Sequence, residues 1–217
     1  MSAVRELALP LSETDVRSLR CGDLVYLTGE LVITAGMPTM QRVLDHIAAG
    51  KPLPIELRHA TLLHFGGYSV EAAGKLQVVY MNPTTSTRFN AMMPTVIRSQ
   101  QLRAVGGKGG LDAACAQAMR ETGCVYLSFP GGAATLYSNA IREVVAVEWR
   151  DLILHYRLVK LRVERLGPGT VGIDAAGNSL YDGLQAAAEA RLPDILAQLA
   201  ADRAAAPGGG AGGKAGA

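Results

Sequence analysis

Short apolar runs alternate with segments of helical periodicity along this chain. Mostly apolar runs of five or six residues, each suited to a buried strand, cover residues 24–28, 61–65, 76–81 and 125–129. Between the first two runs, an apolar helical face is formed at positions i, i+3, i+4 and i+7 by Met40, Val43, Leu44 and Ile47. Pro38 suits the first turn of that helix. The alternation predicts an α/β domain with a mixed sheet.

Further elements follow from the remaining runs and breaks. Residues 31–34 are expected to pair with 24–28 as a hairpin, and strands are also expected over 155–163 and 170–174. Residues 180–201 predict an alanine-rich helix that is broken at Pro193, because proline lacks the N–H that a helix interior needs. One domain is expected over 1–203. The tail over 204–217 contains only Ala, Gly, Pro and one Lys, a composition that predicts disorder.

Composition and charge exclude several classes of protein. The 217 residues are 49% hydrophobic and 18% charged, which suits one globular domain. The net charge of +2 and the absence of a dense Lys/Arg run argue against a nucleic-acid surface. No apolar stretch is long enough to cross a bilayer, and the N-terminus lacks a signal-peptide pattern. We therefore expect a cytoplasmic protein that binds neither nucleic acid nor membrane.

The cysteines and histidines do not form a metal-binding pattern. Cys21, Cys115 and Cys124 are too far apart in sequence for a zinc or iron–sulfur motif, and no two of the four histidines form a ligand pair. We expect no metal ligands in this chain. His64 lies inside an apolar run, and we interpret it as a hydrogen-bonded core residue rather than a catalytic one.

Two polar segments stand out against this apolar background. The first follows the run at 76–81 and contains Thr84, Thr85, Ser86 and Arg88; the second is a glycine-rich turn around Lys108. Hydroxyls at a helix start, flexible glycine backbone and two cations together suit an anion. Both segments are expected at the C-terminal ends of strands, where open α/β sheets bind ligands. A helix cap and a solvated turn would produce the same residues, and the pattern alone leaves both interpretations open.

Four motifs in one order give the chain a family resemblance. They are Pro83-Thr84-Thr85-Ser86 with Arg88, Gly107-Lys108-Gly109-Gly110, Gly131-Gly132-Ala133-Ala134, and the stretch from Ile173 to Tyr181. From about Gly22 to about Leu184, the chain resembles the β subunit, or C-terminal domain, of the class I fumarase and L-tartrate dehydratase family of iron–sulfur hydro-lyases.

The resemblance implies a fold, a partner and a set of roles. The fold would be a swivelling β/β/α domain, and the partner an α subunit that carries a [4Fe-4S] cluster, in an α2β2 assembly. Thr84 matches the threonine proposed as the base, and Lys108 would stabilise the oxyanion or Thr84 itself. Arg88 would bind the substrate carboxylate bidentately, with hydrogen bonds from Thr85 and Ser86 to the same group.

One loop departs from the family pattern. Where the family has Ala-Arg-Asp-Ala-Ala-His, this chain has Gly36 in place of the arginine, Met37 in place of the aspartate and Met40 in place of the histidine. Three explanations stand: the substrate lacks one carboxylate, another side chain binds it, or the protein is no longer a standard hydratase. Met37 and Met40 are candidates for a substrate-specificity pocket, and they suit a helix–strand contact equally well.

Two hypotheses of different class follow from the resemblance. The first is the β subunit of a hydro-lyase that acts on a small hydroxy or unsaturated carboxylic acid of fumarate, malate or tartrate type, or on a less charged relative of these acids. The retained residues Thr84, Arg88 and Lys108 favour it. The second is a catalytically silent paralogue that binds a carboxylate or stabilises a partner, and the altered loop favours that alternative.

Overall fold

Nine strands and six helices form the described part of the chain, which in this computed structural model comprises residues 4–72 and 74–205. The strands are β1 (Val4–Ala8), β2 (Leu24–Ile33), β3 (Thr61–Leu63), β4 (Phe65–Ala72), β5 (Lys75–Pro83), β6 (Ala104–Gly107), β7 (Val125–Ser128), β8 (Ile141–Glu148) and β9 (Leu158–Ile173). The helices are α1 (Glu13–Ser18), α2 (Met37–Ala48), α3 (Met93–Gln100), α4 (Ala113–Thr122), α5 (Ala134–Ser138) and α6 (Leu180–Ala205). Two short 3-10 helices cover Ser86–Phe89 and Leu154–Tyr156. The predicted α/β class is confirmed.

Seven of the strands form one mixed sheet in the order β1-β2-β3-β6-β7-β9-β8. Strands β1, β2, β3, β6 and β7 pair with one another in parallel, whereas β9 runs antiparallel to β7, β8 and β2. The pairing of β9 with β2 closes β2, β3, β6, β7 and β9 into a ring. Strands β4 and β5 form a separate antiparallel hairpin. The swivelling arrangement of the resembled family stays a prediction.

The core is drawn from the strands of this ring and from the helices that cover them. Val25 and Leu27 of β2, with Leu161 and Leu166 of β9, are fully buried. Burying an aliphatic side chain of this size contributes about 1.5–3 kcal/mol. Long β9 therefore joins both flanks of the sheet through apolar contacts as well as through backbone hydrogen bonds.

The structure corrects three sequence expectations. Residues 24–28 and 31–34 are not a hairpin but one strand, β2, because Gly29, with φ of +130°, allows a bulge in the pairing with β9. The strands expected at 155–163 and 170–174 are likewise one strand, β9. Helix α6 continues through Pro193, where neighbouring Ala, Leu, Arg and Gln residues favour helix strongly.

The chain divides into two compact units, with the boundary between Leu180 and Tyr181. The first unit contains all the described strands, and the described part of the second is α6 from Tyr181 onward. The single domain predicted over 1–203 stays a prediction. The tail predicted to be disordered lies, from residue 206 on, outside the described residues. None of the described helices is long and apolar enough to cross a membrane.

Candidate active site

The two polar segments that the sequence singled out are hydrogen-bonded to each other. Hairpin β4–β5 begins directly after His64 and ends at Pro83, so the chain returns to the end of β3. There the Thr84 N–H donates to the His64 carbonyl at 2.7 Å. The Lys108 N–H donates to the Thr84 carbonyl at 3.0 Å, and the Ser86 N–H donates to the Lys108 carbonyl at 2.7 Å. Backbone hydrogen bonds thus hold the segments of Thr84 and Lys108 side by side.

Arg88 is directed at the Thr84 hydroxyl. Its Nη2 donates to Thr84 Oγ1, and its Nε donates to the Thr85 carbonyl at 3.4 Å. The guanidinium carbon lies 5.9 Å from the centre of the Phe89 ring. A fixed cation beside a hydroxyl favours the deprotonated oxygen, because it stabilises the negative charge that deprotonation creates. The arrangement lowers the free energy needed to ionise the Thr84 hydroxyl.

Lys108 presents a second cation beside the same loop. Its side chain is exposed and passes over Gly131: a Cβ placed on that glycine would lie 3.5 Å from Lys108 Nζ. Gly109 and Gly110, with φ of +83° and +82°, form the turn that follows, a conformation that glycine adopts without strain. Within the described ranges, neither Arg88 nor Lys108 has an acidic partner. Two unpaired cations at one edge suit an anionic ligand.

Thr84 also lines an open cavity of about 640 Å³. Part of its lining consists of small residues, namely Ala35, which follows β2, and Gly66 and Gly67, near the start of β4. The larger side chains around it belong to Tyr68, Tyr80, Asn82, Pro83 and His155. Tyr68 and Tyr80 are cross-strand partners in the β4–β5 hairpin and remain 52% and 45% exposed.

Behind the loop lies a buried polar cluster of His64, Ser86 and Tyr126, all fully buried. Ser86 Oγ lies 2.9 Å from His64 Nδ1 and accepts a hydrogen bond of 2.9 Å from the Tyr126 hydroxyl. The His64 ring stacks on Phe89 with 4.3 Å between ring centres. Burial, helped by the charge of Arg88, lowers the pKa of His64 to about 3. The histidine is therefore neutral, and its interpretation as a hydrogen-bonded core residue is confirmed.

Ser86 thus occupies a different environment from the one its predicted role suggests. Its hydroxyl is engaged by His64 and Tyr126 rather than exposed beside Thr84. Gly107 makes this possible, because a Cβ at that position would collide with Ser86 Oγ and lie 3.1 Å from His64 Cβ. The substrate contact of Ser86 stays a prediction. In this structure Ser86 supports the loop from behind, whereas Thr85 is half-buried beside Lys108.

In the altered loop at 35–40, the space beside Gly36 is filled by neighbouring residues. A Cβ on Gly36 would lie 2.8 Å from Tyr156 Cβ and 3.0 Å from Tyr156 Cα, so no larger residue fits without displacing that backbone. The Thr39 hydroxyl donates to the Tyr156 carbonyl in the same place. Met40 is fully buried and Met37 half-buried, and neither lines the cavity. A specificity role for the two methionines stays a prediction, and the packing alternative accounts for the position of Met40.

The described residues offer no metal site. Within residues 4–72 and 74–205, no group of three or more His, Cys, Asp or Glu side chains is placed to hold a metal ion. Cys115 and Cys124 are buried, and burial raises the pKa of both thiols far above the usual range. A thiol ligand must be deprotonated, so these two cysteines do not suit a cluster.

Sequence reasoning missed the aromatic wall of the cavity. Tyr80 lies in a run that was interpreted only as a strand, and Tyr68 follows the run at 61–65 and was assigned to no element. His155 was placed in a strand although it belongs to a 3-10 helix. An available signal was the pair of tyrosines in two consecutive strands joined by a short turn. Their facing positions depend on a register shift between Tyr68 and Ser69, which sequence patterns do not specify.

The chain is similar to known proteins over most of its length. Residues 2–184 match the family described as Fumarase C-terminus. The chain is 30% identical to the L(+)-tartrate dehydratase subunit beta of Escherichia coli K12, over 80% of this chain and 85% of that protein. It is 29% identical to a Methanocaldococcus jannaschii protein provisionally given the same name, over 86% and 95%. It is 32% identical to a Geobacillus stearothermophilus protein provisionally named a class I fumarate hydratase, over 82% of this chain and 34% of that protein.

Proposed function

The chain belongs to the family described as Fumarase C-terminus, and from that premise we propose that it is the β subunit of an iron–sulfur-dependent hydro-lyase. The enzyme would add water to, or remove it from, a small hydroxy or unsaturated carboxylic acid of fumarate, malate or tartrate type. One observation carries the proposal: Arg88 donates a hydrogen bond to the hydroxyl of Thr84, and Thr84 lines a cavity. The backbone of Lys108 is hydrogen-bonded to the same loop.

The chemistry assigns each side chain one task. Arg88 binds the substrate carboxylate and polarises it, and Thr85 adds a hydrogen bond to the same group. Thr84 Oγ1 takes the proton from the carbon next to that carboxylate. The negative charge that then spreads onto the carboxylate oxygens is stabilised by Arg88 and Lys108. The neighbouring cations also lower the free energy needed to deprotonate Thr84, without which a threonine is a poor base.

The proposal places the iron–sulfur cluster on another chain. The described residues provide no ligand set for it, and the β-subunit names of the relatives point to an α subunit. When bound, a [4Fe-4S] cluster supplies a Lewis acid for the leaving hydroxyl. We propose an α2β2 assembly in which the α subunit closes over the exposed face of Thr84. The cytoplasmic location stays a prediction.

Anaerobic co-purification from the native host tests the proposal. We expect this chain to bring with it a brown partner that has the visible absorption of an iron–sulfur cluster, and the complex to hydrate an unsaturated acid. Thr84→Ala in the same complex should keep the partner and the colour but lose turnover. A colourless chain without such a partner would contradict the proposal.

A catalytically silent paralogue is the second candidate. Gly36 favours it, because an arginine cannot be placed there against Tyr156 without moving the backbone. Such a protein would bind a carboxylate at Arg88 and Lys108 but would not form a coloured complex or turn over any acid. The co-purification therefore separates the two candidates by colour and by activity.

A further inference from the structure

We propose that the substrate carries one carboxylate and that its second end is uncharged. This inference rests on the proposed function and specifies its substrate class: a 3-hydroxy monocarboxylic acid and the corresponding 2-unsaturated acid. Water adds across the double bond with its proton on the carbon next to the carboxylate and its hydroxyl on the following carbon. No oxidant or further reactant is needed.

The first support is the position of the cations. Arg88 and Lys108 both belong to the loop pair that holds Thr84, and neither side chain lines the cavity beyond it. A carboxylate bound by Arg88 leaves the rest of the molecule directed from Thr84 into the cavity. One end of the substrate is thus served by an arginine and a lysine, and the other end by neither.

The second support is the lining of the cavity itself. Its larger side chains are Tyr68, Tyr80, Asn82, Pro83 and His155, and no Arg, Lys, Asp or Glu is among the lining residues. A second carboxylate here would find no arginine or lysine to pair with, and giving up part of its hydration without such a partner is costly. Aromatic rings suit an uncharged group with an apolar face, and the amide of Asn82 is the kind of group that hydrogen-bonds a neutral polar one.

The third support is the closure at Gly36. The space around its Cα is filled by Thr39 and Tyr156, so position 36 offers no side chain that could bind an anion. The neighbouring residue Ala35 lines the cavity. The arginine of the resembled family therefore cannot be restored at position 36 by one substitution, because the surrounding residues already fill its space.

Fumarate and its monoamide provide the matched pair for a test. They have nearly the same shape, but the monoamide replaces one carboxylate with a neutral amide. In the purified complex with its α subunit, we expect kcat/KM for the monoamide to exceed that for fumarate by at least about tenfold, as one lost charge contact of about 1.4 kcal/mol predicts. Equal values, or a preference for fumarate, would overturn the inference.

A positive charge introduced into the cavity tests whether the second end of the substrate binds there. His155→Arg, in the complex, should shift the preference toward fumarate by about tenfold, because a cation then faces the second carboxylate. Ile153→Arg is the control, since Ile153 is 55% exposed and does not line the cavity. An unchanged preference in His155→Arg would show that the second end lies elsewhere and would overturn the assignment. Failure of every acid in wild-type complex would instead refute the proposed function.

Discussion

The Nδ1 atom of His64 lies 2.9 Å from the hydroxyl oxygen of Ser86, and both side chains are completely buried behind the Thr84 loop. The neutral imidazole, Ser86 and Tyr126 form a polar support in an otherwise apolar core. Buried polar clusters that are hydrogen-bonded fix one arrangement of the chain around them. Here that arrangement aims Arg88 at Thr84.

Burial of neutral His64 makes stability depend on pH. The pKa of the folded histidine is about 3, below its usual value of 6.5, so the unfolded chain binds a proton between these pH values and the folded chain does not. The contribution of neutral His64 to the free energy of unfolding is fully present at pH values well above 6.5. It falls as the pH decreases through 6.5 toward 3, by up to about 1.4 kcal/mol per pH unit. Urea unfolding between pH 7 and pH 5 measures the slope. His64→Gln is the control, and an identical slope in that variant would contradict the assignment.

Gly107 and Ser86 should be energetically coupled. Gly107→Ala places a Cβ against Ser86 Oγ, and overpacking of this kind costs about 1–3 kcal/mol. Ser86→Ala leaves His64 and Tyr126 without their shared partner, at a cost of about 1–3 kcal/mol. In the double variant the added methyl occupies the space that the hydroxyl left. We expect its loss of stability to be at least about 1 kcal/mol less than the sum of the two single losses, whereas additive losses would argue against the contact.

Thr84→Ala removes the proposed proton acceptor. Loss of a general base lowers turnover by about 10²–10⁴-fold. Thr87→Ala is the matched control, because Thr87 lies on the same loop and its side chain is exposed. Steady-state rates of the complex and thermal unfolding of the β subunit provide the two readouts. Near-normal turnover in Thr84→Ala would exclude this residue as the base.

Lys108→Met removes the exposed cation and keeps an unbranched side chain that is one atom shorter. We expect kcat to fall by about 10²–10³-fold, as for removal of one group that stabilises a developing negative charge, with little change in unfolding free energy. Lys51→Met, at another exposed lysine, is the control. An unchanged rate in Lys108→Met would leave the glycine-rich turn with a structural role alone.

Met40→His places an imidazole in a fully buried apolar position. The unfolding free energy should decrease by at least about 2 kcal/mol, because a buried polar group without a partner is costly. The ratio of kcat/KM values for different acids should stay the same, since Met40 does not line the cavity. Met40→Leu, which conserves volume, should cost less than about 1.5 kcal/mol. A changed substrate ratio in Met40→His would favour the specificity role.

Local patterns predicted much of the fold. Helix α2 has Pro38 in its first turn and buries Met40 and Val43 of the predicted apolar face. Predictions failed where distant partners decide the outcome. Gly29 indicated a turn, but pairing with β9, more than a hundred residues away, makes it a bulge in a continuous strand.

In the candidate site, too, local features were predicted from the sequence and contacts between distant residues were not. The hydroxyl loop and the Lys108 turn were predicted to lie together, and their backbone hydrogen bonds confirm it. The partnership of Ser86 with His64 and Tyr126 spans 22 and 40 residues, and the spacing of residues along a chain does not encode such a contact. The family resemblance indicated roles for Thr84 and Arg88 but could not reveal the space that Tyr156 fills beside Gly36.

The pairing of strand β9 affects how fast different parts of the fold exchange their amide hydrogens. It is paired with β2 along most of its length, with β7 at one end and with β8 at the other. Over residues 159–163 it lies between β2 and β8, so its amide groups there exchange only after strand pairing opens. Hydrogen–deuterium exchange should therefore be slowest along β9 and should occur there only through global opening, whereas the β4–β5 hairpin can exchange through local fluctuations. The side of the site that receives substrate can thus move while the ring that holds Lys108 stays closed.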